Sequence, residues 1–181
     1  MQRIIFATTN ENKMKEIREI LSDFPVEIFS LKEAGIKADI DENGSSFEEN
    51  AAIKAEAIEK MTGAIVLADD SGLEIDYLNG EPGIYSARYM GEETSYHVKN
   101  AHLIERLKGV PDEQRTARFV CCVAAAFPDR EIPRGSQALC GNQLRLPAVP
   151  DSCPNKCGTP AFCAALRQIA VPPAETAAVY F

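Results

Sequence analysis

The run AIVLAD, residues 64–69, leaves this chain few folds to choose from. Its first five residues are all apolar, with no alternation. Such a run suits a strand covered on both faces, and therefore central in a sheet. The neighbouring segments supply the covers. SFEENAAIKAEAIEKM (46–61) opens with Ser46 and Glu49 in a capping-box pattern and carries Phe47, Ala51, Ala55 and Ile58 as a buried stripe. NENKMKEIREILSDF (10–24) predicts a second helix, N-capped by Asn10, with Met14, Ile17, Leu21 and Phe24 facing inward. RIIFAT (3–8), VEIFSL (26–31), the alternating LEIDYL (73–78) and RTARFVCCVAAAF (115–127) read as strands. YHVKNAHLIERLKG (96–109) reads as a helix stopped by Gly109 and Pro111. Strands and helices interleave, with some neighbouring strands, so the expected fold is α/β, with a mixed sheet and flanking helices.

The chain has 181 residues and a formal charge of −8. That length fits one domain, or two close lobes, with a real core. Coating nucleic acid needs clustered Lys and Arg against the phosphates, so no nucleic-acid partner is expected. The apolar run in MQRIIFATTNENK is too short for a signal peptide. No stretch has the roughly 18–20 apolar residues that span a bilayer. A soluble cytoplasmic protein with no membrane partner is the expectation. Cys121 and Cys122 lie inside an apolar strand run and read as small buried hydrophobes.

Chemistry has a foothold in four places. TTNENK, from Thr8 to Lys13, joins a strand to a helix start, where backbone N–H groups attract anions. Lys13 falls in the first turn, against the helix dipole. Either it points into solvent, at a cost of about a few tenths of a kcal/mol, or a bound phosphate compensates it. Thr8 and Thr9 would add hydroxyl donors. No glycine-rich Walker or dinucleotide fingerprint is present. DIDENGSSFEEN (39–50) starts like an EF-hand loop, with Asp39, Asp41, Asn43 and Gly44. Asn50 then stands where a bidentate Glu is required, so calcium sensing is not expected. This acidic loop is either solvated or the source of one metal carboxylate, such as Glu42. Asn50 and Lys54, four residues apart, share one polar helix face, either solvated or turned to a cleft. Asp69, Asp70 and Ser71 form the fourth place. Successive strand residues point to opposite faces, so both carboxylates reach one site only if the strand ends there. One reading is a D-S-G turn in which Asp69 caps backbone amides. The other is a carboxylate pair at a strand end, suited to Mg²⁺ and to a water that attacks phosphorus.

In order and spacing, ATTNENKMKEI, GSSFEENAAIKAEA, LADDSGLEIDYLNGEPGIYSARYMGE and RTARFVCCVAAAFPD resemble the inosine triphosphatase family, the RdgB-like noncanonical purine nucleoside triphosphate pyrophosphatases. The likeness runs through nearly all of residues 1–130. It implies an elongated α/β fold whose two lobes flank a nucleotide cleft, usually in a homodimer. It also implies hydrolysis of ITP, dITP and XTP to the monophosphate and pyrophosphate, with Mg²⁺. By the same resemblance Thr8, Thr9, Asn10, Glu11, Asn12 and Lys13 hold the triphosphate, Lys54 meets phosphate and Ser71 contacts substrate. Glu42 and Asp70 match the metal carboxylates, with Asp69 beside them, and Asp70 matches the residue that activates water. A Maf-like pyrophosphatase with another base preference ranks lower, because the matched motifs belong to the first family. The alternative is a noncatalytic nucleotide-binding or interaction module, or an inactive damaged copy.

The likeness stops where the composition changes. Residues 131–181 hold 3 of the 27 acidic and 4 of the 19 basic residues, but 7 of the 11 prolines and 4 of the 6 cysteines. Prolines at that density exclude a helix or central strand over LPAVPDSCPNKCGTPAFC, and only AALRQIA reads as helical. The family's GFGYDP-type and SHR-type segments, which help to enclose and read the purine, are missing after residue 130. His97 and His102 lie on the earlier helix and do not replace them. A shift this abrupt is the pattern expected of a reading-frame change. Resequencing the gene tests that expectation, which fails if no neighbouring frame encodes the two segments. Cys153, Cys157 and Cys163 lack a fourth ligand in pattern and carry no zinc expectation.

Overall fold

The computed structural model describes residues 1–128 and the backbone of residues 137–146. The expectations for AALRQIA and for the three later cysteines lie outside the described residues. Five strands form one mixed sheet, in the order β2 (Val26–Ser30), β1 (Gln2–Phe6), β3 (Ile65–Ile75), β4 (Ala117–Ala126) and β5 (Gln137–Leu146). β1 is parallel to both of its neighbours, and β4 is antiparallel to β3 and β5. α1 (Glu11–Ile20) and α2 (Phe47–Thr62) lie in the crossovers between the parallel strands, and α3 (Tyr96–Arg106) lies between β3 and β4.

AIVLAD enters the central strand, and alternation along β3 explains both cores. Leu67 packs with Phe6, Met14, Ile17 and Val123 under α1. Val66 and Ala68 turn the other way, against Ala51, Ala55 and Ile58 of α2. Farther along β3, Leu103 and Leu107 cover Ile75 and Ala117. Each large apolar side chain buried in this way contributes about 1.5–3 kcal/mol. The polar stretch 69–71 sits between these clusters. Cys122 is buried as expected, and Cys121 is half-buried.

Three local differences from the sequence reading have physical causes. α1 stops at Ile20, well before residue 24, with Leu21 as its C-cap, and Pro25 disfavours helical backbone at Phe24 just beyond. Leu21 and Phe24 still reach the core from the turn that follows. The capping box of α2 is one-sided. Ser46 Oγ accepts from the Glu49 N–H at 3.2 Å, but the Glu49 carboxylate accepts from the Ser45 N–H and hydroxyl, both at 2.7 Å. The third difference is the largest. No turn forms at D-S-G: β3 runs unbroken through it, pairing Asp70 with Cys122, Ser71 with Cys121 and Gly72 with Val120. The long apolar β4 supplies a partner for every residue, and that ladder outweighs local turn preference. Asp76–Leu78 then forms a 3-10 turn instead of the end of a strand, and Tyr77 is exposed.

Gly72 is needed for close approach. A Cβ there would lie 2.4 Å from the Gly83 carbonyl oxygen and 2.9 Å from Phe47 Cε1. Gly72→Ala is therefore expected to cost about 1–3 kcal/mol in urea unfolding. An unchanged midpoint would show that the 83–86 segment yields freely. Among the described residues, no helix is long and apolar enough to cross a membrane.

Candidate active site

β1 ends at Phe6. After the hydrogen bond from the Ala7 N–H to the Leu67 carbonyl, one edge of β3 has no strand beside it among the described residues. Other groups satisfy its backbone, as burial requires. Lys54 Nζ donates to the Asp69 carbonyl at 2.9 Å, and the Ser71 N–H donates to Asp70 Oδ1 at 3.0 Å. The Leu73 N–H donates to Ser86 Oγ at 2.9 Å, and the Ile75 N–H to the Glu81 carbonyl at 3.1 Å. An open strand edge thus draws polar side chains toward residues 69–71.

Because β3 continues, Asp69 and Asp70 point to opposite faces, and the condition for sharing one site is not met. Asp69 faces α1, is only 4% exposed and pairs with Lys13 Nζ at 2.5 Å. Ser71 Oγ lies 3.4 Å from the same ammonium. Asp69, expected beside the metal carboxylates, is turned away from Asp70 and matched by a lysine. Lys13 does not simply point into solvent: it has a carboxylate partner, which accounts for a cation in a first helical turn. Burial works to lower its pKa, but the charge and hydrogen bond of Asp69 outweigh burial, and the net shift is upward.

Asp70 faces α2. Asn50 Nδ2 donates to Asp70 Oδ2 at 3.1 Å, while Asn50 Oδ1 accepts from the Gly44 N–H at 2.8 Å. Lys54 Nζ lies 3.0 Å from Glu42 Oε1, and Arg88 donates to the Glu42 carbonyl at 3.2 Å. Burial pushes the Asp70 carboxyl above the ordinary aspartate value; Asn50 and Lys54 oppose this, and the Glu42 charge adds to it. Asn50 and Lys54 share a face, as their spacing suggested, and that face is turned to β3 rather than to solvent.

At the start of α1, Thr8 Oγ1 accepts from the Asn10 N–H at 3.2 Å. Asn10 Oδ1 accepts from the Asn12 and Lys13 N–H groups at 2.9 and 3.4 Å. Those two amides, which a free helix start would offer to an anion, are taken by the cap. Thr9, Asn10, Glu11 and Asn12 are exposed. Thr8 and Thr9 line a cleft of about 270 Å³ together with Ala7, Leu31, Ala38, Asp39, Ile40, Glu42 and Lys54. The loop after β1 and the Glu42–Lys54 pair therefore share one cavity. The structural roles of Arg88 and Asn50 were not read from sequence. Helical spacing signalled Asn50, but nothing signalled that Arg88 would meet the Glu42 loop.

A mixed sheet whose open central edge gathers lysines and carboxylates beside a helix start defines an α/β protein with a charged, ligand-sized cleft. The chain belongs to the Ham1 family, whose sequence profile matches residues 4–142. That match passes the compositional break at 131 and takes in part of β5. The chain is 51% identical over 157 residues to the dITP/XTP pyrophosphatase of Clostridium perfringens, covering 79% of this chain and 77% of that protein. It is 47% identical over 131 residues to the dITP/XTP pyrophosphatase of Bacillus subtilis, covering 72% of this chain and 66% of the relative. Its fold is similar to the Ham1 protein of Coxiella burnetii, at a TM-score of 0.71 and 35% identity, over 80% of this chain and 72% of that one. The Ham1 protein of Staphylococcus aureus gives a TM-score of 0.69 at 38% identity, over 80% and 70%.

Proposed function

We propose that this chain hydrolyses the noncanonical purine nucleoside triphosphates ITP, dITP and XTP to the monophosphate and pyrophosphate. The observation that carries the reading is the meeting of Glu42, Lys54 and Asp70 at the open edge of β3, beside the Thr8–Lys13 loop. The names of its relatives in Clostridium perfringens and Bacillus subtilis support the substrate class. The family resemblance adds a two-lobed nucleotide cleft and a homodimer to the proposal, which also keeps the cytoplasmic location expected from the sequence.

A triphosphate entering this acidic cleft needs a cation between the charges. Among the described residues, no three His, Cys, Asp or Glu side chains converge into a metal cage. Mg²⁺ does not need one, since it takes one or two carboxylates and completes its shell with phosphate oxygens and water. Glu42 faces a position that already favours a cation, with the Lys54 ammonium 3.0 Å away. The donor set therefore fits, and Glu42 and Asp70 are the residues that would hold the ion. Bound there, Mg²⁺ would supply neutralisation of phosphate charge and acidification of water.

The chain's own groups do the rest. An ammonium has three donors, and Lys13 uses two toward Asp69 and Ser71. The third remains for a phosphate oxygen, as does the hydroxyl hydrogen of Thr8. Lys54 stabilises charge that grows on the leaving phosphates. Asp70, whose carboxyl pKa burial raises above the ordinary aspartate value, accepts the proton of the attacking water. The water oxygen bonds to the α-phosphorus, the bond to the bridging oxygen of the β-phosphate breaks, and pyrophosphate leaves as one unit.

The test is pyrophosphate release from ITP, dITP, XTP and ATP in the presence of Mg²⁺. Release from the first three and little from ATP is the expected result. Nucleotide binding with no release from any of them would instead identify a noncatalytic module.

A further inference from the structure

We propose that Asn50 is a positioning residue that locks the Asp70 carboxylate to the loop bearing Glu42; this rests on the catalytic reading of Asp70 given above. Asn50 is fully buried on α2, among the apolar positions Phe47, Ala51, Ala55 and Ile58. A buried amide is costly unless its polar ends are bonded. Both ends of this one are bonded, and each to an element that carries a site carboxylate.

The amide orientation follows from its partners. The Gly44 N–H can only donate, so the atom facing it at 2.8 Å is Oδ1. That leaves Nδ2 to donate to Asp70 Oδ2 at 3.1 Å. The other Asp70 oxygen accepts from the Ser71 N–H, so both carboxylate oxygens are fixed in direction. On the loop side the fit is close. A Cβ on Gly44 would lie 2.7 Å from Asn50 Oδ1 and 2.8 Å from Glu49 Cβ. Gly44 therefore rests directly against α2, and the Glu42 carbonyl two residues away accepts a hydrogen bond from Arg88 at 3.2 Å. One side chain thus sets the spacing between two carboxylates from distant parts of the chain. Site geometry must be held to about 0.5 Å to be productive, and supporting hydrogen bonds of this kind provide that.

Two variants test the role: Asn50→Ala, which removes both bonds, and Asn50→Ser, which keeps a small polar group but is too short to bridge. Three quantities are read: kcat and KM for ITP, binding of Mn²⁺ alone to nucleotide-free protein by electron paramagnetic resonance, and thermal unfolding. Loss of an outer support of a metal site costs about 10–100-fold in metal affinity or activity. Accordingly, kcat should fall at least about tenfold with KM changed by less than about twofold, and Mn²⁺ binding should weaken by a similar factor. A lower melting temperature with wild-type kcat and Mn²⁺ affinity would mean that Asn50 only holds the fold, and overturns the proposal. If the alanine variant does not fold, the serine variant decides by the same readings. If the unmodified chain releases no pyrophosphate, the catalytic reading fails on its own; the Mn²⁺ titrations still decide, weaker binding supporting the positioning role and unchanged or absent binding overturning it.

Discussion

Asp70→Asn is expected to cut pyrophosphate release by about a thousandfold, the middle of the range for removing a positioned acid–base group. The same change is expected to leave the metal-free protein as stable as the parent, or more so, at neutral pH. The sign follows from the carboxyl pKa, which burial raises above the ordinary value of 3.8. Between that value and the raised one, the folded state holds a proton that the unfolded state has released. Stability from this group is therefore fully present below 3.8 and is lost as pH rises through the raised folded value. An asparagine does not titrate and escapes that loss. Urea unfolding of both proteins across pH should show the variant gaining on the parent as pH rises. A variant that loses ground with rising pH would mean that the ionised carboxylate is stabilised in the fold.

Lys13→Met should be the most destabilising single change at the site. Asp69 is nearly fully buried, and the substitution strands its charge. Breaking a buried pair from one side costs about 3–5 kcal/mol. The Lys13 side chain is 32% exposed, and solvent screening brings the expected loss to about 2–4 kcal/mol. Adding Asp69→Asn should recover most of that stability, because the stranded charge goes with it. Activity should not return, because the ammonium proposed to meet phosphate is still missing. If Lys13→Met melts with the parent, the ion pair contributes little and Lys13 is held in place by something else.

Much of the fold was legible because its signals were local and strong. The apolar run at 64–69, the caps at Asn10 and Ser46, and the stripe Phe47, Ala51, Ala55 and Ile58 each report a burial pattern that one element imposes. The D-S-G stretch misled because its turn preference is local while its partner, β4, lies about fifty residues away. A site shared by Asp69 and Asp70 required the strand to end there. Alternation along an unbroken strand instead separates them, one to Lys13 and one to Asn50. Long-range side-chain pairs of this kind leave no periodic mark. Lys13 showed only that it was out of place against a helix dipole, without showing which carboxylate corrected it. Arg88 showed nothing, since its contact is with a main-chain oxygen, which any residue type presents.

The bond that is cut tests the central claim most directly. ITP incubated with the protein and Mg²⁺, followed by phosphorus NMR, distinguishes attack at the α-phosphorus from attack at the γ-phosphorus. Inosine monophosphate and pyrophosphate in equal amounts, with no early orthophosphate, is the outcome predicted by a site that delivers water to the α-phosphorus. Orthophosphate with inosine diphosphate, or no turnover at all by folded protein, would contradict it.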